Sequence, residues 1–503
     1  MKECLIGTDM CGKNMKVGAF TIKGERLYVT SRKNIPIITQ EGYYYFNWKY
    51  QRDMLFEMLK EVINNGCKIL SIGIGSCGEA VYPLNKNGEI IHNAIAWYCT
   101  RTEEQAKEFG EKISEEEVYE ICHLKPFFTY SAHKINWFKK YKPDIYKSAA
   151  CWLNVDGFIN YILTGTKYMD YNQAGSTLLL DTKKRDWSDR LFEVNEISKD
   201  TFPELIESGK FTGYINSEIK KLLNVDYDIP VSLSGHDSWC GLFALGVGIS
   251  DKIEFIPNFT GTAGLTNIGK VIDKKDLLKT DTKDLFDNFS WVIPHVYPNK
   301  YHCRGNSVAC YGSLVEFILK ILFGDEKKEF SNEDYIRFEK EINSSKPGAN
   351  GVRIYVSENE LKSTKDLNGI NILNLKTSNT KGDIYRAILE YLCLMDKKQL
   401  ENLEKNTDVK KKLLILGGFT NNKAFLKIRA SILNRTQYIA KEEEVNLLGA
   451  ALLGGVGSNI YKDYDDAISN IEILYKDAID PDPELVEKYS KIYNLGACPR
   501  IRI

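Results

Sequence analysis

The densest chemistry in the sequence lies at Ile229–Gly246, IPVSLSGHDSWCGLFALG. An apolar β-run meets a glycine turn, and His236-Asp237 then opens a helix. An aspartate in that place can be a helix cap. It can equally be a general base aimed into a cleft between two lobes. Such a base suits phosphoryl transfer, which needs a group to take the acceptor hydroxyl proton and a metal to neutralise phosphate oxygens; positioning does most of the rest. Near the start, Gly7–Asn14 fits GxxxxGK and imitates a phosphate-binding P-loop. Asn14 stands where a P-loop carries its magnesium-binding Ser or Thr, and a strand follows instead of a helix. What remains is a tight hairpin, whose backbone N–H groups can face a phosphate. Asp9, at the strand end, is either a turn cap or a carboxylate for magnesium, held directly or through water.

Further stretches add polar groups to apolar frames. Ser71–Leu84, SIGIGSCGEAVYPL, ends a buried strand at Gly75 and brings out Glu79 in a turn, as a loop carboxylate or as an acceptor for polyol hydroxyls. In Ala94–Glu104, AIAWYCTRTEE, Trp97 can stack on an apolar sugar face or fill a core, and Arg101 can fix a carboxylate. Phe259–Gly264, FTGTAG, supplies a second phosphate-type turn with Gly261 and Thr262. Leu413–Asn422, LLILGGFTNN, is a buried strand ending on Gly417-Gly418, where a nucleotide can approach the backbone. Gly312, before the apolar run SLVEFILKIL, is a further candidate for that pocket, and the small-residue helix at Glu444–Gly457 suits close packing beneath it.

The elements that must position these groups recur. Cys4–Asp9 and Val17–Ile22 read as a hairpin, Met54–Ile63 as a helix stopped by Asn64-Asn65-Gly66, and Ile69–Ile74 as a buried strand. About 245 residues later the order returns, with a strand at Ile253–Ile256, the Thr-Gly-Thr turn at 260–262 and a return strand at Leu265–Ile268. A helix at Ile384–Met395 and a strand at Leu413–Leu416 follow. Two similar α/β lobes meeting near residues 245–252 account for this pattern. The stretch Glu103–Val231 reads as mostly helical, with Tyr130–Trp137 and Ala149–Leu163 its clearest helices. Beyond Tyr461 the reading is a closing helix and an extended tail.

Composition narrows the class. The chain has 503 residues, of which 43% are hydrophobic and 27% charged, as in an ordinary globular protein with room for several domains. Lys plus Arg number 67 and Asp plus Glu 68, so the net charge of −1 speaks against a broad nucleic-acid or anionic-membrane surface. No stretch of about 18 apolar residues suggests a membrane span. The opening MKECLIGTDM lacks the layout of a signal peptide. The 12 cysteines have no CxxC pair, which points to reduced thiols in a cytoplasmic protein.

The order of blocks resembles the FGGY family of carbohydrate kinases over nearly the whole chain, from Cys4 to about Tyr461. SCGEAVYPLNKNGEIIHNAIAWYCTRTEEQA is similar to the family's sugar-side segment, and YSAHKINWFKKYKPDIYKSAACWLNVDGFINYILTG to its helical block, which DYNQAGSTLLLDTKKRDWS follows. SGHDSWCGLFALGV matches the Gly-His-Asp motif, FTGTAG the second phosphate loop, and LGGFTNNKAFLKIRASIL with EEEVNLLGAALLGGVG the adenosine-binding end. The resemblance implies an α/β, actin-like ATPase (ribonuclease H-like) fold of two duplicated lobes with a cleft between them. It implies a sugar-binding lobe at 1–247 with a helical insertion and a nucleotide-binding lobe at 248–503. The implied activity is ATP- and Mg²⁺-dependent phosphorylation of a hydroxyl of a ketose or related polyol, L-fuculose- or xylulose-like. A non-catalytic sugar or nucleotide sensor on the same fold is the alternative. By resemblance Asp237 is the base, Asp9 helps hold Mg²⁺, and Glu79, Trp97, His236 and Asp237 bind the sugar. Gly261, Thr262, Gly312, Gly417, Gly418 and Asn422 serve ATP. A homodimer is the family-level expectation. Three positions depart from the family pattern. Cys11-Gly12-Lys13 replaces Gly-Thr-Thr, so that Lys13 offers a charge to ATP in place of hydroxyls. Cys99 replaces an Asp, and Phe419 replaces the third glycine of the adenosine motif.

Overall fold

The computed structural model describes residues 1–10, 12–247, 249, 255–260, 269–305, 311–324, 330, 332–356, 370–404, 412–471 and 475–494. The chain forms two compact units. The first comprises Met1–Ile253, Val271–Cys303 and Glu444–Glu472; the second comprises Glu254–Lys270, Arg304–Glu443 and Ile473–Ile503.

In the first unit, strands β1 (Lys2–Met10), β2 (Asn14–Phe20) and β3 (Arg26–Lys33) form an antiparallel meander. Helix α1 (Trp48–Asn64) then crosses to β4 (Cys67–Ser76). Asn47 caps α1, accepting from the amides of Lys49 and Tyr50, and Gly66, at φ +84°, lets the chain turn out of it. The expected hairpin, helix and buried strand are all present, each longer than the sequence pattern showed. Strands β5 (Phe211–Tyr214) and β6 (Pro230–His236) complete a six-stranded sheet in the order β5-β6-β4-β1-β2-β3. The central pairs β1–β4 and β4–β6 are parallel. That explains the near-continuous apolar character of β4, which is covered on both faces.

Helix α2 (Asp237–Ala244) follows β6 directly. Onto this layer packs α3 (Val445–Gly457), VNLLGAALLGGVG. Its small residues are needed for contact with backbone: a Cβ on Gly7 would lie 1.8 Å from the Leu447 carbonyl oxygen, one on Gly73 1.8 Å from that of Ala450, and one on Gly449 1.8 Å from that of Cys240. The helix therefore belongs to the first unit's sheet, and the expectation that it underlies the nucleotide end is corrected. Its glycines and alanines match the glycines of β1 and β4, a complementarity between distant segments.

The region 103–231 is less helical than its pattern suggests. Cys151–Asn154 is a strand paired antiparallel with Val81–Leu84, and only Val155–Thr164 continues as helix, ending at Gly165. Pairing with a distant strand overrides the apolar spacing there. Short strands also occur at Tyr168–Asp170 and Glu204–Ile206, which pair in parallel.

The second unit holds a four-stranded sheet of β7 (Phe255–Thr260), β8 (Lys412–Gly417), β9 (Gln437–Ala440) and β10 (Tyr475–Ile479), in that order. The first three are mutually parallel and β10 is antiparallel to β9. Helices Lys381–Glu404 and Lys423–Leu433 pack with the sheet around Ile388, Leu392, Ile415, Phe425 and Ile428. A fully buried ion pair, Arg429 Nε to Asp396 Oδ2 at 2.9 Å, joins these two helices. Strand β10 and helix Pro483–Asn494 stand where a helix and tail were expected; the side chains of β10 are mostly exposed, so no apolar alternation marked it. The return strand at Leu265–Ile268 lies outside the described residues. Among these residues no helix is long and apolar enough to cross a membrane. The nine described cysteines are buried free thiols.

Candidate active site

In the first unit, three neighbouring parallel strands end at one edge. Asp9 and Met10 of β1 stand opposite Gly75 and Ser76 of β4, and Ser76 stands opposite His236 of β6. Carboxyl ends of parallel strands are where open α/β sheets bind ligands. Gly235, at φ +98°, shapes the bend before His236; a Cβ there would meet Val296 at 2.8 Å and Asn172 Oδ1 at 2.9 Å. The backbone N–H of His236 donates to Asn172 Oδ1 at 2.9 Å, which fixes the strand end.

Asp237 is the first residue of α2. Its Oδ1 lies 2.5 Å from His236 Nδ1 and accepts from the Ser238 amide at 2.6 Å. Burial works against a charged His236 ring, but the carboxylates of Asp237, Glu79 and Asp9 outweigh it and move its pKa upward. The ring also packs edge-on against Trp239 at 4.7 Å.

Asp9 is buried, and burial together with the charge of Asp237 pushes its pKa up to about 8; Lys16, its neighbour across the hairpin, and a hydrogen bond from Asn446 act the other way. Lys16 in turn pairs with Glu444 at 2.7 Å. Asp9 Oδ1 has no hydrogen-bond partner among the described residues. Two carboxylates that repel each other in a buried site, one with an unused oxygen, suit a hard cation. Among the described residues no group of three His, Cys, Asp or Glu side chains could hold a metal ion. An ion beside Asp9 would take most of its ligands from water and phosphate, as Mg²⁺ commonly does.

Glu79 sits in the turn after β4, buried, at φ +63°, a conformation that non-glycine residues seldom adopt. Ser131 Oγ donates to its carbonyl at 3.0 Å. Gly78, before it, packs against His236: a Cβ there would lie 2.9 Å from His236 Cδ2. Trp97 is held by its carbonyl, which accepts from Thr129 Oγ1 at 2.9 Å, while its indole Nε1 is buried with no partner among the described residues. A Cβ on Gly12 would come within 2.7 Å of that Nε1, so the hairpin turn lies against Trp97. Lys13, exposed in the same turn, has its carbonyl bound by the Asn34 amide at 2.8 Å. Cys11 lies outside the described residues. The structure thus brings Asp9, Glu79, His236 and Asp237 into one electrostatic neighbourhood, with Gly12-Lys13 against Trp97.

Arg101 does not stand free for a substrate carboxylate. Its guanidinium lies over Tyr45 at 3.9 Å and near Tyr43 and Trp137, and Nε donates to Cys99 Sγ at 3.2 Å. Cys99, expected to stand in place of an aspartate, therefore accepts a hydrogen bond from Arg101.

Apart from Lys13, the nucleotide candidates lie in the second unit. Gly417 ends β8 at φ +95°, and Gly418 opens a short 3₁₀ turn. Asn422 caps the following helix through Oδ1, accepting from the Phe425 amide at 2.9 Å, and its Nδ2 donates to Tyr385 at 3.1 Å. Phe419 turns to Phe425, with ring centroids 4.9 Å apart, and packs on the unit's core. Gly312 is the second residue of helix Tyr311–Phe323. Gly261 and Thr262 lie outside the described residues.

Sequence reasoning passed over several groups. Lys134 is fully buried, its ammonium held by the Thr129 carbonyl; burial lowers its pKa to about 8, against the attraction of Glu79. Asp170 Oδ1 accepts from the amides of Asn172 and Gln173 and from Ser208 Oγ, and so rigidifies the short helix Tyr171–Ala174. Burial raises the pKa of both Asp170 and its buried neighbour Asp156. Asn172, Gln173 and Asn446 were not singled out; Asn446 alone stands as a polar residue in an otherwise apolar run, VNLLGAALL.

Asp9, His236 and Asp237 gather where the first unit's parallel strands end and the helix of Asp237 begins, an arrangement that suits phosphoryl transfer. The comparisons carry this further. Residues 4–244 match the FGGY family of carbohydrate kinases, N-terminal domain, and residues 279–458 its C-terminal domain. The xylulose kinase of Staphylococcus xylosus is 23% identical over 496 residues, 98% of each chain. The L-fuculokinase of Escherichia coli (strain K12) is 25% identical over 498 residues, 97% of this chain and 99% of that one. The crystal structure of ligand-bound xylulose kinase from Lactobacillus acidophilus superposes with a TM-score of 0.83 at 20% identity, covering 98% of this chain and 96% of that one. The chain belongs to the FGGY family of carbohydrate kinases. Its fold is the actin-like ATPase fold, and its activity is phosphoryl transfer from ATP to a sugar hydroxyl.

Proposed function

We propose that the chain phosphorylates a hydroxyl of a ketose or related polyol, xylulose- or fuculose-like, with Asp237 as the general base. The observation that carries this reading is the placement of Asp237 at the head of α2, 2.5 Å from His236 and electrostatically coupled to Asp9. Asp237 takes the acceptor hydroxyl proton as the oxygen attacks the γ-phosphate, a role worth on the order of 10²–10⁴ in rate. Glu79, Trp97 and His236 hold the sugar: Glu79 accepts hydroxyls, His236 leans toward its cationic form, and Trp97 offers an indole face and an N–H without a partner among the described residues. Asp9 holds Mg²⁺, which when bound neutralises phosphate oxygens.

In this reading the first compact unit, which holds residues 1–247, is the sugar-binding lobe, and the second, which takes most of 248–503, is the nucleotide-binding lobe. Lys13, Gly261, Thr262, Gly312, Gly417, Gly418 and Asn422 contact ATP. The protein acts in the cytoplasm, as a homodimer and without nucleic acid, in keeping with its near-zero net charge. The relatives named xylulose kinase and L-fuculokinase support the choice of sugar class. Nothing favours a sensor, which has no need of Asp237 or Asp9. Asp237→Asn is expected to abolish turnover while ATP affinity, measured by calorimetry, stays within a few-fold. Near-wild-type turnover in this variant would remove Asp237 from the role of base.

A further inference from the structure

Gln173 lies on the short helix that Asp170 fixes, and it is 1% exposed. Its Nε2 donates to Ser76 Oγ at 3.2 Å and approaches the carbonyls of Ser76 and Cys77 at 3.5 Å. The Ser76 hydroxyl gives its own proton to the Cys77 carbonyl at 2.9 Å, so all three oxygens around Nε2 are acceptors. That settles the orientation of the amide: nitrogen toward the end of β4, oxygen away from it. The oxygen faces Gly78, where an added Cβ would lie 3.4 Å from Oε1 and 2.9 Å from His236 Cδ2. Oε1 has no hydrogen-bond partner among the described residues. A buried amide oxygen without a donor carries a desolvation penalty that an incoming donor relieves.

We propose that Gln173 is a substrate-binding residue whose Oε1 accepts a hydrogen bond from a hydroxyl of the sugar. This rests on the sugar site proposed above and adds to it the residue that reads one hydroxyl. The amide is neutral and its nitrogen is already engaged, so this position selects an O–H donor over a phosphate or carboxylate oxygen. Oε1, Ser176 Oγ and His236 Cδ2 all approach Gly78, which places the hydroxyl that Oε1 takes beside Glu79 and His236. A site built around an unpaired acceptor discriminates strongly against analogues that lack the donor.

The test uses the full chain with a sugar that the wild type phosphorylates, together with that sugar's singly deoxygenated analogues. Gln173→Met keeps the side-chain length and removes the amide. The sugar KM is expected to rise about 10- to 100-fold, with the ATP KM within about twofold. For one deoxy analogue, wild type and variant should perform alike. Gln173→Asn, which withdraws the oxygen by one methylene, should show the same analogue-specific pattern and carries the test if Gln173→Met does not fold. Unchanged kinetics, or an equal loss on every analogue, while Glu79→Ala still raises the sugar KM, would make Gln173 a structural amide only. If Glu79→Ala leaves the sugar KM unchanged as well, the sugar site itself is wrong and the Gln173 proposal falls with it.

Discussion

Lys134 sits beneath the site as a buried ammonium, and its lowered pKa has a measurable consequence. In the unfolded chain it titrates near 10.5 and in the folded one near 8, so between these values only the unfolded state keeps the proton. Stability contributed by this residue therefore rises as pH climbs from about 8 to 10.5. The stability gap between wild type and Lys134→Met should close in the wild type's favour by on the order of 3 kcal/mol across that window. Urea titrations at pH 7.5 and pH 10 check this; a gap independent of pH would mean that Lys134 keeps its proton in the folded state as it does in the unfolded one. Nothing in YSAHKINWF announces a buried lysine, because helical spacing shows where a residue points only when its neighbours are known. By contrast Asp9, Glu79, His236 and Asp237 could be picked out, each being a polar residue at the end of an apolar run. Their mutual coupling could not, since it arises from the register of three strands far apart in sequence.

Helix α3 shows what an element contributes beyond its own residues. Gly449 lies against the Cys240 carbonyl of α2, the helix that begins with Asp237. Gly449→Ala is expected to cost about 1–3 kcal/mol or more and to lower turnover, because relief requires α2 to shift. Gly110→Ala, in an open helical position with no atom within 4 Å of the added Cβ, is the control and should be neutral or slightly stabilising. Equal melting temperatures and rates for wild type and Gly449→Ala would show that the helices give way freely. The small-residue character of α3 was plain in the sequence, but its partner was not, since a glycine stripe specifies closeness and not what is approached. Similarly, the apolar run before Leu163 gave a helix its right end and the wrong start, because Cys151–Asn154 answers to a strand some 70 residues earlier.

At the scale of the whole chain, the recurrence of hairpin, helix and strand was enough to give two α/β lobes. It did not show that the first compact unit takes in residues 271–303 and 444–472, because chain order hides segments that cross between units. Family membership fixes phosphoryl transfer from ATP to a sugar hydroxyl; in the proposed reading the sugar is chosen by the side chains around Glu79, Trp97 and His236. In the proposed reading Lys13 serves ATP. Lys13→Ala should raise the ATP KM or slow transfer if its charge stands in for the missing hydroxyls, and unchanged kinetics would make it a solvent residue. The most direct measurement is ADP release with Mg-ATP across a panel of ketoses, polyols and sugar acids, with Asp237→Asn as the blank. Turnover on at least one ketose or polyol, lost in Asp237→Asn, is the expected result. No release above the blank on any compound, with ATP still bound, would contradict the assignment of this site as the centre of a sugar kinase.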